Sequence, residues 1–179
     1  MLATDDLKHE HSVMTRMLTI FELVADKNAK ELPADFFPRT VDFLRNFVDR
    51  CHHGKEEEYL FPAIEAHGIS GKTGIIAVML AEHEQGRGYV HQIEEASKHI
   101  VTDQAAFKAA IRSSMEYTRL LRQHIDKETN SVFPMADGVF NNTDNQELLE
   151  KFEEIERERI GPGKHEEYLK LIEELEAVL

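Results

Sequence analysis

Apolar side chains recur every three or four residues over four long stretches of the chain, which is the spacing of amphipathic helices. The predicted helices cover about 5–27, about 35 to Pro62, about 72–97 and about 103–135. Pro62 is expected to kink or end the second helix, because proline lacks a backbone donor and crowds the preceding turn. Four long helices with short connections predict an all-α fold, an up-down-up-down four-helix bundle.

Two shorter amphipathic patterns follow the fourth helix. They predict helices over about 144–159 and about 164–178, separated by Gly161-Pro162-Gly163. We therefore expect the bundle to occupy residues 1–140. Residues 141–179 are expected to form a helical extension that packs on the bundle.

A repeat with an offset of 72 residues runs through the four long helices. Residues 51–62 have a near copy in residues 123–134, with histidine, lysine, glutamate, phenylalanine and proline at the same relative positions. The same offset relates Glu10-His11 to Glu82-His83. An unselected polar surface has no reason to repeat histidine and glutamate in register, so the repeat indicates a metal site.

Six residues of the repeat are candidate metal ligands. A histidine and a glutamate four residues apart lie on one face of a helix, and the second and fourth helices each carry such a pair. The first and third helices each add one histidine, which antiparallel packing would bring to a similar depth at 1.5 Å of rise per residue. The six are His11, His52, Glu56, His83, His124 and Glu128.

Four imidazoles and two carboxylates suit two first-row transition ions, such as iron, zinc, copper or nickel, whereas Mg²⁺ and Ca²⁺ prefer oxygen ligands. If both glutamates bridge, each ion has four protein donors and keeps a position for O₂, peroxide, NO or water. Gly86, one turn after His83, either leaves room for such a ligand or allows close helix packing. Tyr117 belongs either to the core or to the ligand pocket.

His53 is the main rival to His52, since Glu57 follows it by four residues. The repeat favours His52 with Glu56, because Ile125 stands where His53 would need a counterpart. The other five histidines are interpreted as lying outside the site: His9, His67, His91, His99 and His165.

The repeated motifs resemble those of the hemerythrin family, in particular the bacterial and archaeal proteins with a hemerythrin HHE cation-binding domain. The resemblance extends over about residues 1–140. It implies a four-helix bundle around a non-heme di-iron centre, oxo- or hydroxo-bridged, whose two iron ions are held by the six residues. Members bind O₂, sense oxygen or iron, or process nitric oxide or peroxide. The matching pieces are Glu10-His11, His52-His53-Gly54-Lys55-Glu56-Glu57, Leu60-Phe61-Pro62, Glu82-His83-Glu84-Gln85-Gly86-Arg87 and His124-Ile125-Asp126-Lys127-Glu128.

One position departs from the oxygen carriers of the family. They have a second histidine on the third helix where this chain has Arg87, which disfavours reversible O₂ carriage. We expect a di-iron protein that binds or senses O₂ or a related small oxidant. The alternatives are an oxidoreductase acting on peroxide or NO, and an iron-centre repair or iron-handling protein, so enzymatic activity stays open.

Two other metal proteins are disfavoured by the residues. A ferritin-like ferroxidase uses Glu-x-x-His, and none of the ten histidines has a glutamate three positions before it. A structural zinc site is closed, whereas the expected site keeps an open position.

Composition limits the partners and the compartment. The formal net charge of −13 makes nucleic acid and anionic membranes unexpected partners. Cys51 alone cannot form an internal disulfide and fits a reducing compartment. The longest apolar run, 75–81, is too short to span a bilayer. The cytoplasm is therefore the expected location. The expected small ligand of the metal site is O₂, peroxide or NO, and the sequence does not specify a protein partner.

Overall fold

The computed structural model describes all residues, 1–179, and its regular elements are all helical. Six helices are joined by short connections, one of which contains the 3₁₀ turn Ala29–Glu31. The helices are α1 (Ala3–Val24), α2 (36–66), α3 (Gly74–Ser97), α4 (104–139), α5 (142–160) and α6 (Lys164–Val178).

Helix α2 changes geometry several times along its length. It begins as the α-helix Phe36–Phe43, widens into the π-helical segments Leu44–His53 and Glu56–Leu60, and ends as the α-helix Phe61–Ala66. π-helical turns are rare and frequently lie at functional sites. In α2 these turns contain the histidine and glutamate positions that the repeat singles out.

Helix α4 repeats part of this behaviour. Its α-helical segment Gln104–Lys127 is followed by the π-helical turn Glu128–Val132 and the α-helix Phe133–Val139. The turn lies 72 residues after Glu56–Leu60 in α2, so the repeat extends from the sequence to the backbone. Helix α5 also ends in a π-helical segment, Glu156–Ile160.

The predicted helices are all present, with differences at their ends. Helix α1 stops at Val24, and α4 continues to Val139. The expectation that Pro62 could end the second helix is wrong, since α2 continues to Ala66. Pro62 lies in the first turn of the α-helical segment that follows a π turn, a place where proline is tolerated. Pro134 occupies the same position in α4.

Local chemistry explains where the later helices begin. The Asp103 carboxylate accepts a hydrogen bond of 2.8 Å from the backbone N–H of Ala105 and caps α4. The Asn141 side chain caps α5. Gly161 and Gly163 have φ values of 91° and 81°, which favour glycine, and they allow the chain to turn between α5 and α6.

The interior consists of two hydrophobic clusters, one of 24 and one of 13 buried residues. Each of α1 to α4 carries one or two of the six candidate ligands. On every helix they lie between residues of the first cluster and residues of the second. Helices α5 and α6 contribute to the interior too, α6 through Tyr168 and Ile172 in the first cluster and α5 through Phe152 in the second. Cys51 is buried and unpaired. None of the helices combines the length and the apolar character needed to cross a bilayer.

Candidate metal centre

Two pairs of imidazoles face each other in the interior. The Nε2 atoms of His11 on α1 and His52 on α2 lie 3.1 Å apart. The Nε2 atoms of His83 on α3 and His124 on α4 also lie 3.1 Å apart. The two halves of the sequence repeat therefore have the same arrangement in space: α1 and α2 contribute one facing pair of histidines, and α3 and α4 contribute the other.

The two glutamates lie between the histidine pairs. Glu56 places Oε1 3.7 Å from Nε2 of His52 and Oε2 3.4 Å from Nε2 of His83. Glu128 places Oε2 3.0 Å from Nε2 of His11 and Oε1 2.9 Å from Nε2 of His124. Each carboxylate thus reaches both pairs, which is the arrangement expected of a bridging ligand.

The carboxylate oxygens are buried without hydrogen-bond partners. Glu56 and Glu128 are fully buried, and none of their four oxygens makes a contact of hydrogen-bond geometry. Burying a charged carboxylate without compensation is costly. Cations between the imidazole and carboxylate donors would satisfy these oxygens, so the residues present fit a pair of transition ions.

Outer carboxylates orient two of the histidines. His52 donates from Nδ1 to Glu10 Oε2 at 2.8 Å, and Lys55 contacts the other oxygen of Glu10 at 2.7 Å. His124 donates from Nδ1 to Glu82 Oε2 at 2.9 Å. Such bonds fix the tautomer with Nε2 free to bind a metal.

The other two histidines differ from each other. His83 donates from Nδ1 to Glu57 Oε1 at 2.7 Å, and the guanidinium of Arg87 also contacts this oxygen at 2.6 Å. His11 has no partner at Nδ1. Thr129 stands where the repeat would place a counterpart of Glu57, and it cannot provide a carboxylate. The two halves of the site are therefore similar but not identical.

The electrostatics keep charge inside the site. Burial alone raises the pKa of Glu10, but the hydrogen bond from His52 and the charge of Lys55 outweigh burial and lower this pKa to about 2. Burial opposes a charged His124, yet the Glu128 carboxylate raises the pKa of His124 to about 10. The Glu128 carboxylate thus favours a charged His124, whereas burial lowers the pKa of His11.

The structure brings together all six residues predicted from the repeat. His11, His52, Glu56 and Glu128 form one group of possible ligand atoms. Glu56 is shared with a second group that contains His83 and His124.

His53 also lies in this second group, beside His83. The rival pair of His53 with Glu57 does not form, because Glu57 faces the outer nitrogen of His83. Sequence reasoning treated His53 and His52 as alternatives, whereas the structure buries both.

The five histidines interpreted as lying outside the site belong to neither of these two groups. His9, His67, His91 and His99 are exposed. His165 is half-buried against the ring of Phe47, with ring centroids 5.1 Å apart.

A cavity of about 240 Å³ lies beside the second group. Gly86 and Tyr117 both line it, whereas none of the six candidate ligands does. A Cβ atom at Gly86 would lie 3.6 Å from Cε2 of Tyr117, which is an ordinary contact, so the helix packing here does not require glycine. Arg87 lines the cavity too and contacts Asp49 at 2.8 Å.

The chain matches the model of a protein family whose description includes cation binding. The model described as the hemerythrin HHE cation binding domain matches residues 2–136. The chain belongs to this family. The match contains all six candidate ligands, so the HHE domain extends from α1 through most of α4.

Several curated proteins are similar to this HHE protein. The uncharacterized proteins Rv1995 of Mycobacterium tuberculosis and Mb2018 of Mycobacterium bovis are each 27% identical over 183 residues, covering 99% of this chain and 70% of the relative. The iron-sulfur cluster repair protein YtfE of Salmonella typhimurium is 34% identical over 88 residues, covering 48% of this chain and 40% of the relative. No solved structure matches the chain.

Proposed function

We propose that this protein is a non-heme di-iron HHE protein that binds or senses O₂ or a related small oxidant. The observation that carries this proposal is the position of Glu56 and Glu128: each buried carboxylate has two unpartnered oxygens, one directed to each histidine pair. We assign His11, His52, Glu56 and Glu128 to one ion. The other ion takes His83 and His124 with the same two carboxylates.

Carboxylates around the site orient its imidazoles before a ligand binds. Glu10, Glu82 and Glu57 hold three imidazoles with Nε2 directed inward. When bound, a pair of iron ions supplies positions for a small oxidant and electrons for its reduction. The cavity beside Gly86 and Tyr117 provides space for a molecule of that size.

We further propose that α1 to α4 run up-down-up-down. The order of the two hydrophobic clusters reverses from each helix to the next: the second cluster comes first on α1 and α3, and the first cluster comes first on α2 and α4. This reversal is what alternating helix directions produce. Helices α5 and α6 are then an extension that covers the bundle.

An iron-handling function is the second candidate. It is favoured by the similarity to YtfE, whose name describes iron-sulfur cluster repair, although that similarity covers less than half of either chain. The six candidate ligands would serve it equally well. An oxidoreductase acting on peroxide or NO would use the same site and differ in turnover. Steady consumption of peroxide or NO by the iron-loaded protein would identify such an enzyme.

Metal analysis of histidine variants tests the ligand assignment. His52→Ala and His124→Ala should each lose at least one metal equivalent per chain, because each removes a nitrogen from one half of the centre. His91→Ala is the matched control, since His91 is exposed, and it should keep both. Full metal content in both His52→Ala and His124→Ala would refute the assignment.

A further inference from the structure

His53 is buried beside the centre and has no assigned role in it. Its side chain is 4% exposed, and neither ring nitrogen has a hydrogen-bond partner. Nδ1 lies 3.6 Å from Oδ1 of Asp49, which is beyond hydrogen-bond distance. A buried imidazole with two unpartnered nitrogens is costly and requires an explanation.

The His53 ring lies directly against the second half of the centre. It stacks on His83 with ring centroids 3.8 Å apart and planes inclined by 15°, and it meets His124 edge-on at 5.6 Å. Ligand atoms from His53, Glu56, His83 and His124 all lie within 4.8 Å of one another. Opposite ligands of one ion are about 4 Å apart at usual metal–nitrogen distances. The four donor atoms are therefore close enough to share one ion. To bind it, the His53 ring must turn out of its stack on His83, because lone pairs in nearly parallel ring planes do not converge.

The π-helical backbone explains how two consecutive histidines both point inward. His52 and His53 end the π-helical segment Leu44–His53. A π-helix has more residues per turn than an α-helix, so neighbouring side chains diverge less around its axis. In the other half of the repeat this position is Ile125, which packs against the hydrophobic core. The third imidazole is thus available to one half of the centre only.

His53 also separates the centre from the cavity. The cavity is lined by His53, Gly86, Arg87 and Tyr117 among others, and none of the six assigned ligands lines it. A molecule in the cavity therefore meets the His53 ring before it meets His83 or His124.

We propose that His53 is a third imidazole ligand of the ion held by His83 and His124, and that it separates this ion from the cavity. This inference rests on the proposed metal centre. The two halves are then unequal, with three imidazoles in one half and two in the other. Displacement of His53 opens the cavity-side ion to small ligands.

Nuclear magnetic resonance tests the first part without any variant. The wild-type protein, labelled with ¹⁵N-histidine and loaded with zinc alone, should show five of its ten imidazoles with metal-bound nitrogen shifts. His53→Gln assigns the fifth signal. Four metal-bound imidazoles, with His53 free, would overturn the inference and leave the proposed function standing. Absence of metal-bound imidazoles would instead overturn the proposed centre itself.

Ligand titration tests the second part. His53→Ala loaded with cobalt should keep two ions and bind added imidazole at least about tenfold more tightly than the wild type, because the vacated space adjoins the cavity. The change in the visible cobalt spectrum measures this binding. His91→Ala should match the wild type. Equal imidazole affinity in His53→Ala and wild type would overturn the inference, and His53→Gln repeats the test with a bulkier side chain should His53→Ala not fold.

Discussion

Lys55 and Lys127 occupy equivalent positions in the repeat and have different surroundings. Lys55 is fully buried, and its Nζ contacts three carboxylates, among them Glu10 at 2.7 Å and Glu156 at 2.5 Å. Lys127 pairs with Glu82, and its side chain is 35% exposed. Each lysine contacts a carboxylate that orients a histidine of the centre. Only Lys55 also connects this carboxylate to the extension.

This difference predicts unequal costs for two matched substitutions. Lys55→Met should lower the free energy of unfolding by about 3 kcal/mol, because it leaves the buried carboxylate of Glu10 without its cation. Lys127→Met should cost about 1 kcal/mol or less, since that pair is partly solvated. Urea unfolding of the metal-free variants measures both. Equal losses would contradict the account of Lys55 as a buried connection.

At the scale of the element, the extension packs on the part of α2 that leads to its histidines. Tyr168 on α6 lies against the rings of Phe43 and Phe47, with centroids 5.5 and 6.0 Å away. Its hydroxyl donates to Asp42 at 2.9 Å. Since Tyr168 belongs to the larger hydrophobic cluster, α6 shares the core of α2.

Substitutions at Tyr168 test whether α6 is part of the cooperative core. Tyr168→Ala should lower the free energy of unfolding by about 3–5 kcal/mol through loss of buried aromatic surface. Tyr168→Phe removes only the hydroxyl and should cost about 1 kcal/mol. Chemical unfolding and hydrogen exchange measure the effects. An unchanged global free energy, with lost protection confined to α6, would show that α6 detaches independently.

At the scale of the whole molecule, the six candidate ligands come from all four long helices. The chain has a formal net charge of −13, and Glu56 and Glu128 place two acidic groups in its interior. Bound cations would balance these groups and link α1, α2, α3 and α4 at the boundary of the two hydrophobic clusters. The folded state alone presents this ligand set, so metal binding should stabilise it.

Metal removal should therefore lower the melting temperature, with a loss of about 2.7 kcal/mol where free metal had been at 100 times its dissociation constant.

In the metal-free protein the raised pKa of His124 stabilises the fold fully below the ordinary value of 6.5, and this contribution disappears as the pH rises through about 10. Ion binding must displace that proton, so apparent metal affinity should rise with pH until about pH 10, where His124 loses its proton. Calorimetry with and without a chelator, repeated at several pH values, measures the stability that the metal adds. Metal affinity that falls as the pH rises would contradict the expected trend.

Much of the helical pattern and the six-residue group could be predicted from the sequence. Helical spacing of apolar residues reports which face of a segment is buried, because burial of that face stabilises the helix in the fold. The repeat supplied the rest of the prediction, since His11 and His83, or Glu56 and Glu128, stand in register. The proximity of the six residues therefore follows from the spacing and the repeat.

His53 and Lys55 show what the pattern could not predict. Adjacent residues of an α-helix lie about 100° apart, so periodicity treats His52 and His53 as alternatives. Lys55 stands next to a run of glutamates that is typical of a solvated face, yet it is fully buried. Its burial depends on α1 and α5, whose Glu10 and Glu156 come from distant parts of the chain.

By itself, the sequence determined the helices and the six candidate ligands, because both are written in local spacing and in an internal repeat. The tertiary structure decided the inward position of His53, the burial of Lys55 and the location of the cavity. These depend on π-helical geometry and on contacts between residues far apart in the chain. Such contacts are a property of the packed helices, and the pattern of any single helix does not contain them.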